Sequence, residues 1–305
     1  MINAIETNAL TKQYGAFRAV DALDLVVRQG EVFGLLGPNG AGKTTTMMLL
    51  LGNVRPTSGR ATLLGKPIGE FTNRRKVGFL PEKFQFHEFL TATEVLRLHG
   101  RLYGMTGSSL ETRIDLVLDR VGLADRAKSR IGDFSRGMQQ RIGLAQALLN
   151  DPALVILDEP TSALDPLGRR DVRQIVDELR EQGKTVLLNS HMLSEIEATC
   201  DRVAILKGGA IVAEGTVGEL TAVGSAVSVE VETMNDAALH AVRAIVLKLR
   251  IERVPITRFT ATLRSSDDIP VLAAALIENG VKLRALIPTR ETLEEAYLRI
   301  LEGRI

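Results

Sequence analysis

An eight-residue stretch, Gly37-Pro38-Asn39-Gly40-Ala41-Gly42-Lys43-Thr44, limits the fold of this chain more than any other part of it. It fits the phosphate-loop pattern GxxxxGK[ST] at every fixed position. The apolar run at residues 32–36 before it reads as a buried strand, and residues 45–51 after it suit a helix. Glycines let successive N–H groups turn inward around a phosphate, and a helix starting at Lys43 aims its positive dipole end at the same point. A nucleoside triphosphate is the natural tenant, with Lys43 along its β- and γ-phosphates and the Thr44 hydroxyl on Mg²⁺. Each residue from Gly37 to Thr45 is a candidate contact.

At 305 residues the chain is long enough for two domains, and 45% apolar with 25% charged residues is ordinary for a protein with a full core. A net charge of +1, with basic residues spread along the chain, argues against a nucleic-acid partner. The longest apolar runs, such as residues 47–51, fall far short of the roughly 18–20 residues that span a bilayer, and the first residues lack a charged-then-apolar leader. The expectation is a cytoplasmic protein that meets a membrane only through a partner. The single cysteine, Cys200, excludes an internal disulfide and a multi-cysteine metal site, and reads as a small buried hydrophobe.

Upstream of the phosphate loop, residues 4–10 and 19–27 read as antiparallel strands joined by the loop Thr11-Lys12-Gln13-Tyr14-Gly15. Residues 61–65 and 77–80 read as further strands, and Pro81 exposes Glu82 beyond the second. From about 90 to 150 the period changes to helical, which predicts an inserted helical subdomain. Within it Ser135 stands as the N-cap of a helix with Ile142, Leu144, Ala145, Ala147 and Leu148 at its apolar positions. Leu154-Val155-Ile156-Leu157-Asp158-Glu159-Pro160 is a buried strand ending in two carboxylates, in the crevice where open parallel sheets bind ligands. Asp158 suits a metal shell and Glu159 suits polarising a water. Residues 185–189 repeat the buried-strand pattern, with His191 just beyond. A lone histidine there is more often structural, yet beside the other two strand ends it can hydrogen-bond a γ-phosphate. Tyr14 reads either as a surface tyrosine or as a ring that stacks on a base. Residues 203–206 and 210–213 form a hairpin closing a domain of residues 1–221. Residues 222–305 read as a small βαββαβ-like domain with a tail, having strands at 225–232, 256–263 and 281–287 and helices at 237–249, 269–279 and 292–301.

Taken together, these residues resemble the ATP-binding subunits of ABC transporters over residues 4–220. The phosphate loop corresponds to that family's Walker A motif and residues 154–159 to Walker B. Ser162 to Asp165 correspond to the D-loop, His191 to the switch histidine and Tyr14 to the adenine-stacking aromatic. Two motifs depart: the signature LSGGQ appears as Phe134-Ser135-Arg136-Gly137-Met138, and the Q-loop glutamine is Glu82. An ionised glutamate accepts hydrogen bonds or ligates Mg²⁺, but donates no amide hydrogen bond. Both departures look like exporters whose membrane subunits are separate chains.

The resemblance implies an α/β P-loop NTPase fold with a parallel core sheet, an antiparallel β subdomain and a helical subdomain, plus a small α+β C-terminal domain for dimerisation or regulation. It implies ATP as ligand, Mg²⁺ on Thr44, Asp158 and Glu82, and hydrolysis served by Glu159, His191 and Glu82. It further implies a head-to-tail homodimer in which Ser135, Gly137 and Asp165 of one chain complete the other chain's site. An integral membrane permease would be the partner of this export ATPase, with the chain peripheral on the inner face of the cell membrane. The alternative is a soluble ABC ATPase of translation or DNA repair, or a regulatory one acting on a membrane complex without transport. The first of these is expected to show paired ATP domains, a long coiled coil or a basic surface, none visible in this sequence. The segment Phe84-Gln85-Phe86-His87-Glu88-Phe89-Leu90 reads as a docking patch for a membrane subunit or as ordinary burial against the helices.

Overall fold

The apolar runs that read as buried strands pair with one another in a computed structural model of the chain, which describes residues 3–70, 73, 75–221, 225–252, 257–289 and 291–303. Two units are resolved, Met1–Thr216 and Val217–Ile305. Ala222, the expected start of a second domain, lies outside the described residues. The strands of the first unit are β1 (Asn3–Tyr14), β2 (Phe17–Leu23), β3 (Val26–Arg28), β4 (Val32–Leu36), β5 (Ser58–Leu63), β6 (Lys66–Pro67), β7 (Val77–Leu80), β8 (Leu154–Asp158), β9 (Thr185–Asn189), β10 (Arg202–Lys207) and β11 (Ala210–Thr216).

Six of them form one sheet in the order β11-β10-β4-β9-β8-β7, parallel throughout except at β11. Every residue of β4, β8 and β9 is buried, as continuous apolar strands in the middle of a parallel sheet must be. Parallel pairing aligns their carboxyl ends: Asn189 faces Asp158 on one side and Leu35 on the other. The phosphate loop after β4 therefore emerges beside the polar ends of β8 and β9.

A second, antiparallel sheet runs β2-β1-β5-β6, with β3 also on β1. The Lys43–Leu50 helix buries Met47, Leu49 and Leu50 in a core that takes side chains from both sheets, among them Phe33, Leu35, Ile5 and Leu63. The expected loop at residues 11–15 is a strand over most of its length, since β1 continues to Tyr14 and pairs it with Phe17. Register shifts between Asn8 and Thr11 and between Leu10 and Lys12 break the alternation there, which hides the strand from a period-of-two reading. Helices occupy Ala92–Leu102, Gly107–Arg120 and Arg136–Leu148, the first opened by a Thr91–Glu94 capping box.

The second unit carries β12 (Ser225–Val231), β13 (Lys248–Ile251), β14 (Arg258–Leu263) and β15 (Leu283–Thr289), antiparallel in the order β13-β14-β12-β15. Helices Asp236–Ile245 and Ile269–Glu278 complete a βαββαβ order, and their Ala238, Val242, Leu272 and Leu276 share a core with Val227, Val229, Phe259 and Ala261. The helix expected over 237–249 stops at Ile245. Val246 is extended and the Leu247 N–H reaches the Thr262 carbonyl at 2.7 Å, so pairing with β14 overrides the helical spacing of the residues that follow. The expected strand start at Ile256 lies outside the described residues.

Candidate active site

The phosphate loop closes on itself before any ligand is considered. Gly42 caps the Lys43–Leu50 helix at φ 104°, and a Cβ there would lie 2.3 Å from the Ala19 carbonyl oxygen. Only glycine allows both the left-handed backbone and that approach. The Lys43 Nζ donates to the carbonyls of Gly37 at 2.6 Å and Pro38 at 3.1 Å, which folds the ammonium over its own loop. Burial pulls the Lys43 ammonium below its ordinary value, against the opposite pull of Glu159, Asp158 and Glu82.

At the end of β8, Asp158 is 2% exposed and its Oδ1 accepts from Asn189 Nδ2 at 2.5 Å. Burial raises the Asp158 carboxyl, the Asn189 bond lowers it, and Glu82 adds like-charge repulsion. Glu159 sits one residue further, in the left-handed region at φ 54°, an uncommon conformation for a residue with a side chain. Its N–H donates to Asn189 O at 2.9 Å and its Oε2 lies 2.6 Å from His191 Nδ1. Burial raises this carboxyl too, and the His191 contact works against it.

Lys43, Glu159, Asn189 and His191 border one cleft of about 740 Å³, while Asp158 is buried behind it and is not among its lining residues. Its lining holds residues 39–45 of the phosphate loop with Glu82, Glu159 and His191, and the expectations for those residues meet in a single place. Gly37 and Pro38 form the loop's base, beneath Lys43. Tyr14 is not among the lining residues. Its ring lies under Lys12 Nζ at 4.8 Å, and the aromatic on the cleft is its cross-strand partner Phe17.

Ser135, Gly137 and Asp165 border a different cleft, of about 610 Å³, with Arg126, Arg136 and Arg141. Ser135 Oγ caps its helix by accepting from the Met138 N–H at 3.2 Å, and Asp165 caps the Pro166–Glu181 helix through the Gly168 N–H at 2.8 Å. No described residue lines both clefts.

Sequence reasoning passed over Phe17, Lys83 and Asn189 on the first cleft, and Gln140 behind it, while Ser162, read as part of the D-loop with Asp165, lies on the first cleft and Asp165 on the second. Asn189 had the same signal as Asp158, a polar residue ending a buried strand. Gln140 stands at helical spacing with Leu144 and Ala147, on the buried side of its helix.

Comparison with known proteins agrees with this geometry. The ABC transporter family model matches residues 20–162. An uncharacterised ABC transporter ATP-binding protein of Synechocystis sp. is 39% identical, covering 99% of this chain and 86% of that protein. The Nod factor export ATP-binding protein I of Cupriavidus pinatubonensis is 36% identical over 97% of this chain and 90% of its own. The linearmycin resistance ATP-binding protein LnrL of Bacillus subtilis is 34% identical over 97% of both. Among solved structures, an ATP-binding subunit of an ABC transporter superposes with a TM-score of 0.67 at 32% identity, over 72% of this chain and 92% of that one. A dimeric ATP-binding cassette in a post-hydrolysis state, bound to ADP and Pi, gives 0.64 at 28% identity over 70% and 98%. The chain belongs to the ATP-binding subunits of ABC transporters, and its first unit is an ABC ATPase.

Proposed function

We propose that this chain hydrolyses ATP to drive export through a separately encoded membrane permease, as one half of a head-to-tail homodimer. The observation that carries the reading is the separation of the two clefts: Ser135 and Gly137 stand apart from the chain's own phosphate loop. A second copy brings its Ser135 and Gly137, flanked by Asp165, to the triphosphate held by the first copy's residues 37–45. The dimeric cassette among the structural neighbours supports a two-chain assembly. Export is favoured by relatives named for Nod factor export and linearmycin resistance, each matched over 97% of this chain.

In this reading Lys43 lies along the β- and γ-phosphates, and Phe17 or its neighbour Tyr14 offers an aromatic face to the adenine. Glu159 orients the attacking water and accepts its proton, while His191 keeps the carboxylate in place and reaches the γ-phosphate. The donor set near the γ-phosphate suits Mg²⁺. Asp158 is buried against an amide donor, Glu82 lies close enough to raise its pKa, and Thr44 supplies a hydroxyl, all hard oxygen ligands. Asn189 lines the same cleft, and its buried Oδ1 has no hydrogen-bond partner among the described residues. Among the described residues no group of three His, Cys, Asp or Glu side chains is placed to hold a metal ion, which fits an ion completed by phosphate oxygens and water. Such an ion would neutralise charge developing on the β- and γ-oxygens.

No described helix is long and apolar enough to cross a membrane. We place the chain on the inner face of the cell membrane, docked on its permease. The docking surface is centred on Phe89, 69% exposed and stacked on His87 at 5.5 Å, while Phe84 turns inward against Gly143. The second unit serves dimer contact or regulation. Co-expression with an integral membrane protein from a neighbouring gene should give a complex that survives detergent purification, and vesicles holding both should transport in an ATP-dependent way. ATP turnover without any membrane subunit that co-purifies would remove the export reading.

A further inference from the structure

Gln140 is an inward-facing polar residue on the helix whose cap is Ser135. It is 5% exposed, and its Nε2 donates to the carbonyl oxygens of Glu159 at 3.2 Å and Pro160 at 3.1 Å. Both partners are carbonyl oxygens, which only accept, so the amide nitrogen must face them. An apolar side chain of similar size would fill this space. The amide adds direction.

The backbone that it holds belongs to Glu159, whose left-handed φ of 54° needs support from its surroundings. Support comes from two sides. The Glu159 N–H is tied to Asn189 O at 2.9 Å, and its carbonyl accepts from Gln140 Nε2 and, at 3.1 Å, from Ser162 Oγ. Ser162 belongs to the turn that follows Glu159, so its bond is local. Gln140 reaches across 19 residues from another element. From Ser135 to Gln140 is about 7.5 Å along a helix axis, short enough to move as one rigid body.

We propose that Gln140 is a positioning residue that couples the two ATP sites of the dimer. When the second chain's nucleotide engages Ser135 and Gly137, the helix shifts, and Gln140 carries that shift to the carbonyl of Glu159 and so to the carboxylate facing the first chain's own nucleotide. The proposal rests on the two-chain reading above. It adds a route between sites that share no lining residue, running through one side-chain amide.

The test is the ATP dependence of hydrolysis by the full chain, with ADP affinity and melting temperature measured on each variant. Wild type should be sigmoidal, with a Hill coefficient approaching about 2, the number of sites. Gln140→Met should lower kcat on the order of tenfold and bring the Hill coefficient to about 1, with ADP affinity within about twofold of wild type. Gln140→Asn keeps the amide but withdraws it by one methylene; it should move both quantities in the same direction by less, and serves if the Met variant does not fold. Ser162→Ala removes the local hydroxyl donor to the same carbonyl, keeps the residue 162 N–H that reaches it at 3.3 Å, and should lower kcat while leaving the Hill coefficient as in wild type. The coupling is overturned by a wild-type Hill coefficient of 1, by Gln140 variants that match wild type in both quantities, or by an equal loss of cooperativity in Ser162→Ala. Near-normal hydrolysis by Glu159→Gln would instead remove the reading of the site on which the coupling rests.

Discussion

Glu159→Gln should lower ATP hydrolysis by about 10²-fold to 10⁴-fold, the range expected for loss of a general base, while ATP binding stays intact. The two side chains have nearly the same volume, so the strained backbone at φ 54° and its ties to Asn189, Gln140 and Ser162 are kept. What is lost is the ionisable oxygen facing the water. With hydrolysis blocked and binding preserved, the ATP-bound dimer should accumulate. Burial raises the Glu159 carboxyl above the ordinary glutamate range, with the His191 contact opposing it, and the ionised form is the active one. Wild-type kcat should therefore decline as pH falls, through an acidic limb lying above the usual glutamate range, and the residual rate of Glu159→Gln should lack that limb. Hydrolysis by the variant within a few-fold of wild type would defeat the assignment.

Lys43→Ala should fail one step earlier, at binding. The ammonium makes charge-assisted bonds to phosphate oxygens, each worth about 1.5–3 kcal/mol, so nucleotide affinity should fall on the order of tenfold to a hundredfold. Its removal also takes the ammonium away from the Gly37 and Pro38 carbonyls, the second of which keeps only the Ala41 N–H at 3.1 Å, and this loosens the loop that shapes the site. Calorimetric titration with ATP separates the two variants. A Lys43→Ala chain that binds ATP as wild type does, and loses only turnover, would contradict the place assigned to this lysine.

Much of this was legible because backbone chemistry leaves plain marks. Gly42 is required by an Ala19 carbonyl 2.3 Å from where a Cβ would lie, and the apolar runs ending in Asp158 and Asn189 mark central parallel strands whose carboxyl ends meet. Features set by long-range pairing were less visible. Tyr14 was expected in a loop because bulges in β1 interrupt its alternation, and the turn that follows puts Phe17, rather than Tyr14, on the cleft. Residues 246–249 carry helical spacing yet belong to the approach and start of β13, because β14 supplies hydrogen-bond partners that a local reading does not see. Gln140 escaped for the opposite reason, since a buried polar residue inside a helical pattern shows its partners only in three dimensions. The two clefts follow the same division: several residues of each stood out in the sequence, and their separation on one chain is a property of the fold.

The central claim, that an ATP site is shared between two chains, is tested most directly by mixing two inactive variants. Lys43→Ala spoils the phosphate-loop half and Ser135→Arg fills the signature half. Each dimer of one kind holds no complete site. In a mixed dimer the phosphate loop of the Ser135→Arg chain meets the intact Ser135 of the other, restoring one site. The account predicts that ATPase activity reappears on mixing, at up to about a quarter of the wild-type rate, since about half of the dimers are mixed and each has one of its two sites. A rate that stays at the sum of the two separate variants would mean that each chain works with its own signature residues, and would contradict the shared site.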